Sequence, residues 1–379
     1  MKFLVFSKFI LLFNALTVFS YADTGVFPRK IVLATNQPLS GPAKEYSLIG
    51  RSSRAYFKYI NDQGGIHGRA IHLKIVDDQF RSEKTIKKIS ELIVETEIFA
   101  IFSGLGNKTF QSIYPFLKKQ KIPSFFVGSN LPEWTKPVQS NIFTFLPSPE
   151  IEARVLGRYL TKNHSGKEII IWYVDRPEYF RSVKVMTNEL FGLSAKLLAG
   201  KKGRLKAEWN LIEKRKPDLI VALGNFYDLM KFLKDYPKID IPVYTGHSLA
   251  DSRITKWIDI FSLLRVLTAY PLIFEKENKG VLLHKKILSL YDPSVMPNRW
   301  TLYGHAVAEL MVEVLIRSGR SLNRQKAITA AESLIDWKGR LMSPVSIDSK
   351  NHLALTYFRV SQILPEEINH LSEWIDGRQ

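Results

Sequence analysis

From Lys30 onward the sequence alternates short apolar runs with amphipathic segments, and it does so in two successive series. That alternation is the feature that most narrows the fold. Strands separated by helical crossovers cannot pair as hairpins, so they build a parallel sheet covered by helices. In the first series KIVLAT (30–35), AIHLKIV (70–76), FAIFSG (99–104) and IPSFFVGS (122–129) read as strands. Ser47 to Asn61, SEKTIKKISELIVE (82–95) and KTFQSIYPFLKKQ (108–120) read as the helices between them. Ile71, Leu73 and Ile75 recur at the strand period, while Ile86, Ile89, Leu92 and Ile93 share one helix face. Gly64 and Gly65 follow the first helix, where a left-handed residue closes a helix C-terminus.

The second series begins after residue 147. EIIIWYVD (168–175), PDLIVALG (217–224), IPVYTG (241–246) and LRVLTAY (264–270) read as strands. EYFRSVKVMTNELF (178–191) and FYDLMKFLKDY (226–236) read as helices. Two α/β units of similar size in a chain of 379 residues imply two lobes with a cleft between them.

The first residues stand apart from this pattern. MKFLVFSKFILLFNALTVFSYA carries Lys2 and Lys8, then an apolar run from Phe9 to Phe19, then small residues at Ser20 and Ala22. It reads as a secretory signal peptide, 1–22, cut after Ala22. No later stretch reaches the ~18 apolar residues of a spanning helix. The chain has no cysteine, which excludes disulfides, thiolate metal sites, a thiol nucleophile and a lipid-modified cysteine anchor. Export without cysteine fits a bacterial periplasm. The formal charge of +18 is spread over segments such as KKGRLK (201–206) and EKRK (213–216), with no nucleic-acid motif beside them. Solvated surfaces are the expected use, and no nucleic-acid partner is expected.

Asp77 and Asp78 follow the second strand, where open parallel sheets bind ligands. The same residues suit a helix N-cap and loop amides, and that is their expected role. Gly246-His247-Ser248-Leu249-Ala250 nearly matches the G-x-S-x-G elbow of α/β-hydrolases, with His305 and His352 downstream. Ala250 replaces the second glycine and no HGGG-type loop precedes it, so a hydrolase using Ser248 is the lesser alternative. GLGNKT (104–109) lacks the Gly-Lys-Ser/Thr of a phosphate loop. His67 and His72 have no third ligand nearby, and neither a metal nor a cofactor is expected.

Several segments taken together resemble the leucine/isoleucine/valine-binding-protein family of type I periplasmic solute-binding proteins. They are PLSGPAKEYSLIGRSSRAYFKYINDQGGIHGRAIHLKIVDDQ, GLGNKTFQSIYPFLKKQKIPSFFVGSN, EIEARVLGRYL, WTLYGHAVAELMVEVLIRSG and GRLMSPVSIDSKNHLALTYFRV. The resemblance implies an α/β fold of two Rossmann-like lobes with parallel sheets, joined by three crossovers, with the ligand cleft between them. It places 23–147 and 273–343 in one lobe, 148–272 and 344–379 in the other. Tyr46 would line the cleft. Gly106–Thr109, with Asn107 and Thr109, and Gly128, Ser129 and Asn130 correspond to carboxylate-binding segments. Tyr179 matches the tyrosine of a D-x-x-Y-G motif, and Phe226 and Tyr227 match an aromatic pair.

Two departures bear on the ligand. The family's amino-acid binders hold the ammonium with an acid in the loop where GHSLAD places His247. Phe180 replaces the motif glycine after Tyr179 and would alter that wall. A buried ammonium needs an anionic partner, so a carboxylate, amide or aromatic solute is expected in place of leucine. The expected protein is a non-enzymatic, monomeric, periplasmic binding component of an ABC importer, with a small-molecule solute and a membrane permease as partners. A ligand-sensing receptor of the same fold is the alternative.

Overall fold

The computed structural model describes residues 24–200, 205–236, 239–256, 261–365 and 367–378. The expected signal segment 1–22 and residues 201–204 of KKGRLK lie outside them. Among the described residues no helix is long and apolar enough to cross a membrane.

The first series runs β1 (Lys30–Gln37), α1 (Ser47–Asp62), β2 (Ala70–Asp77), α2 (Ser82–Glu95), β3 (Ala100–Phe102), α3 (Asn107–Lys119), β4 (Ser124–Val127) and β5 (Ile142–Thr144). Its strands form a five-stranded sheet in the order β2-β1-β3-β4-β5, parallel throughout. Gly64 and Gly65 end α1 as expected. Both have positive φ, with Gly64 N–H donating to Asn61 O and Gly65 N–H to Ile60 O at 3.0 Å each. A Cβ on Gly65 would stand 2.2 Å from Arg69 O, so no other residue turns this corner without a shift.

The second series runs α4 (Pro149–Asn163), β6 (Glu168–Val174), α5 (Pro177–Glu189), β7 (Ser194–Gly200), α6 (Leu205–Arg215), β8 (Leu219–Leu223), α7 (Phe226–Asp235), β9 (Val243–Thr245) and β10 (Leu264–Thr268). Then come α8 (Lys279–Tyr291), α9 (Arg299–Arg317), α10 (Arg324–Glu332), β11 (Tyr357–Ile363), β12 (Ile368–His370) and β13 (Ile375–Asp376). The second sheet has the order β12-β11-β10-β9-β8-β6-β7, with β13 on β11. It is mixed, which corrects the expectation of two parallel sheets. β11 pairs antiparallel to β10, and β12 and β13 pair antiparallel to β11. The reason is the path of the chain. It leaves this sheet after β10, builds α8 to α10 on the other lobe, and re-enters at the end it left, so β11 must run back.

α9 carries the return. It crosses α1 so closely that a Cβ on Gly304 would stand 2.2 Å from Ile49 O. Ser52 and Ser53 donate their hydroxyls to Thr301 O and Gly304 O, each at 2.7 Å. Three connections join the lobes, and they lie together. Thr144 N–H donates to His352 O and Ala354 N–H donates back to Thr144 O, each at 2.9 Å. Ser343 N–H donates to Ala269 O at 2.6 Å. Every connection is thus hydrogen-bonded to another, which suits a hinge that bends without separating.

Candidate functional site

The carboxyl ends of the parallel strands of both sheets look onto one cavity of about 600 Å³. Open parallel sheets place ligand sites there, because helix N-termini and variable loops converge at those ends. A volume of this order encloses a small organic solute. The loops after β1, β2, β3 and β4 wall it on one side. α4, α5 and the loops after β8, β9 and β10 wall it on the other, and the first turn of α9 contributes Arg299, Trp300 and Tyr303.

Tyr46, Asn107, Thr109, Gly128, Asn130, Tyr179, Phe226, Tyr227 and His247 all line this cavity. Tyr46 stands edge-on to Trp300 at 4.6 Å and stacks on Phe80 at 6.1 Å, and burial raises its phenol pKa. Tyr179 is buried and its pKa is raised by that burial. Phe226 and Tyr227 meet edge-on at 5.6 Å, with Tyr227 75% exposed at the mouth. Ser129 is not a lining residue. Its hydroxyl donates to Asn107 Oδ1 at 2.8 Å and accepts from Trp134 Nε1 at 2.9 Å. Phe180 is likewise not in the wall and is 62% exposed against Tyr173, because adjacent helical residues point to different faces.

The strand-end groups expected to take a carboxylate are largely committed to one another. Gly106 N–H donates to Gly128 O at 3.0 Å, and Gly128 N–H to Gly104 O at 2.9 Å. Asn107 Oδ1 accepts from Asn130 N–H at 3.2 Å, and Thr109 donates its hydroxyl to Leu105 O. No side chain caps the N-terminus of α3, so its first-turn amides remain the acceptor-seeking groups of this wall.

His247 sits in the expected loop, but its role follows from a residue the sequence reading passed over. Glu152, in the first turn of α4, lines the cavity and accepts two hydrogen bonds from His247. Its Oε2 takes the backbone N–H at 2.9 Å and its Oε1 faces Nδ1 at 2.8 Å. Gly246 permits this approach, since a Cβ there would stand 2.0 Å from Glu152 Oε2. Glu152 lies in the segment EIEARVLGRYL. Nothing in it points Glu152 at a loop 95 positions away.

The other acids are also answered. Asp251 is buried and accepts from Arg253 N–H at 2.9 Å and Arg253 Nη2 at 2.7 Å. Burial would raise its carboxyl pKa, but the bonds from Arg253 and the charge of Arg299 hold it below the usual value. Asp78 accepts from Asn36 Nδ2 at 2.7 Å, Thr85 Oγ1 at 2.9 Å and Phe80 N–H at 2.9 Å. Asp77 accepts from Ser40 Oγ at 2.5 Å and Gln79 N–H at 3.0 Å. Neither lines the cavity, so both do loop work, as expected. Neither caps α2, whose N-cap is Arg81.

The lobes also touch across the cavity. Arg253 Nη1 donates to Glu45 Oε1 at 3.2 Å, and Arg299 Nη1 donates to Ser248 O at 2.7 Å. Ser248 Oγ is buried without a hydrogen-bond partner. The His247–Ser248 bond that a serine nucleophile needs is therefore not formed, although a Glu–His pair stands beside it.

Comparison with known proteins agrees with this architecture. A family model described as Periplasmic binding protein matches residues 30–366. No curated protein matches the sequence. Among solved structures, a putative branched-chain amino acid ABC transporter from Rhodospirillum rubrum is similar, with a TM-score of 0.75 and 14% identity over 90% of this chain and 100% of that one. A branched chain amino acid ABC transporter from Thermus thermophilus with bound valine gives 0.73 and 15% over 92% and 97%. A fatty acid ABC transporter substrate-binding protein from Thermomonospora curvata gives 0.72 and 16% over 93% and 94%. At such identities these structures speak for the fold alone. The family match spans nearly all of the described chain, and the protein belongs to the periplasmic binding protein family.

Proposed function

We propose that this protein is the solute-capturing component of an ABC importer. It is exported to the periplasm after removal of residues 1–22, acts as a monomer, and hands a small molecule to a membrane permease. The observation that carries this reading is the cavity itself, which both lobes wall and which a hinge of three adjacent connections can open. A solute touching both walls stabilises the closed state by contacts the open state lacks. The two lobes, 23–147 with 273–343 and 148–272 with 344–379, move as the bodies on either side of that hinge.

The solute is a carboxylate, amide or aromatic molecule in place of a simple aliphatic amino acid. Both carboxylates that line the cavity among the described residues already have protein partners, Glu152 with His247 and Glu45 with Arg253, which disfavours an ammonium. The likeness to substrate-binding proteins of ABC transporters supports the importer role. A thermal-shift screen against a solute library, followed by small-angle scattering with and without the best binder, tests the reading. A bound solute raises the melting temperature and shrinks the radius of gyration. Hits that bind without compaction would refute capture by closure.

A further inference from the structure

We infer that the cavity receives an acid group at Arg299, with Trp300 and Ser248 as accessory donors, so that its solutes are monocarboxylates with an apolar or aromatic body. This rests on the reading of the cavity as a solute site and names the chemistry of that site.

The argument starts from which charges are already answered. Among the described residues three cationic side chains line the cavity, Lys108, Arg253 and Arg299. Lys108 is exposed to water at the surface. Arg253 is held by Asp251 and Glu45. Arg299 differs from both. Its side chain is only 10% exposed, and its nearest carboxylate oxygen, Asp251 Oδ2, is 3.9 Å away and already gripped by Arg253 at 2.7 Å. Its recorded partners are neutral oxygens, Ser248 O at 2.7 Å and the Tyr270 hydroxyl. A guanidinium taken out of water, hydrogen-bonded only to neutral oxygens and sharing its one carboxylate at 3.9 Å with Arg253, is a costly arrangement that a second carboxylate relieves.

The second observation is independent of charge. Ser248 Oγ, Arg299 Nε and Trp300 Nε1 all belong to cavity-lining residues, and all three are buried without a hydrogen-bond partner. Arg Nε and the indole nitrogen can only donate, and the serine hydroxyl can donate or accept. This wall thus holds more unanswered donors than acceptors. It suits an acceptor-only group and repels an ammonium. Two of the three sit on the first turn of α9, with the Arg299 guanidinium over the Trp300 ring at 4.7 Å, so one helix orients them together. The α3 N-terminus offers amides but no buried charge, so Arg299 is the stronger anchor. Tyr46, Phe80, Tyr179 and Tyr227 face the rest of the solute with aromatic surface.

Titration calorimetry on the mature protein tests this with octanoate, benzoate and 3-phenylpropionate, each beside its primary carboxamide. At least one acid is expected to bind more tightly than its amide, by ~30-fold or more. Arg299→Gln should weaken that acid ~30- to 100-fold while the amide changes by less than ~3-fold. Trp300→Phe keeps the ring, removes only the N–H, and should weaken the acid by a smaller factor, ~3- to 10-fold. Because the amide reports on folding in each variant, an equal loss of acid and amide would overturn the inference. So would an acid preference unchanged in Arg299→Gln, or the failure of every acid to bind. If no acid binds but a neutral solute still closes the lobes, this inference fails and the importer reading stands.

Discussion

Glu152 accepts both the backbone N–H and the ring Nδ1 of His247, at 2.9 and 2.8 Å. A carboxylate on the wall of a binding cavity is thereby committed to the protein itself. An ammonium would have to share Glu152 with both His247 donors, and Glu45, the other carboxylate lining the cavity among the described residues, is paired with Arg253. Leucine, isoleucine and valine are therefore expected to bind no more tightly than millimolar in calorimetry. Micromolar leucine binding would sink this expectation and leave the fold untouched.

The same pair makes Gly246 a sensitive position. Gly246→Ala places a methyl group 2.0 Å from Glu152 Oε2 and must displace the carboxylate or the loop. The expected cost is ~2 kcal/mol in urea unfolding, from strain and from two hydrogen bonds left unmade. A variant within about 0.5 kcal/mol of the parent would show that the loop yields freely.

The ion pair between Glu45 and Arg253 joins the two lobes at 3.2 Å with both side chains substantially exposed, 52% and 41%. Such a pair contributes ~0–1 kcal/mol. Glu45→Gln should leave the melting temperature nearly unchanged but favour the open form, because the bridge exists only when the lobes meet. The readout is scattering without solute, where the variant should show a larger radius of gyration. An identical curve for both proteins would remove the bridge as a latch.

His284 and His305 form a buried pair between α8 and α9, with Nδ1 atoms 3.1 Å apart. Burial pushes His284 down to about 3 and His305 well below its usual value, and the charges of Lys285 and Arg340 push the same way. Folded-state values lie below the unfolded ones, so the unfolded chain binds more protons as pH falls through 6.5. Stability contributed by the neutral pair is then full above that pH and is lost between pH 6.5 and about 3. Unfolding free energy should drop by ~4 kcal/mol from pH 7 to pH 5, about half of it from each histidine. His284→Gln should flatten the profile, and a parent profile already flat over that range would refute the linkage.

Ser248 provides a separate check. Its Oγ bonds to no other group, so hydrolysis of an activated ester should proceed at the background rate with the parent and with Ser248→Ala alike. Turnover that the substitution abolishes would restore the hydrolase alternative.

Much of the fold could be read locally. α2 occupies the residues that Ile86, Ile89, Leu92 and Ile93 mark, and α1 stops at the two glycines. β2 alternates because it is an edge strand, with the buried Ile71 between outward residues. Five of the described strands lie outside the two series, β5, β7, β11, β12 and β13. β5 has three residues, too few to show a period. β7, SAKLLAG, is an edge strand with its first four residues exposed, so burial imposes no alternation on it. β11 lies in a segment that entered only through the family resemblance, and its antiparallel sense comes from where the chain re-enters the sheet.

The alternating series by themselves determined the α/β class, the two lobes and the ends of strands where a site must lie, because hydrophobic periods report which face of a local element is buried. The family resemblance, and not the series, pointed to Tyr46 and His247 in loops and to Tyr179 in the first turn of α5, and all three line the cavity. Only the tertiary structure decided what those loops do. Glu152 meets His247 across 95 positions, Arg253 meets Glu45 across 208, and Arg299 reaches Ser248 across 51. Which charge is answered and which remains unpaired depends on distances between such remote segments. No local pattern encodes them, since a hydrophobic period constrains the face a side chain occupies and not the partner it finds there.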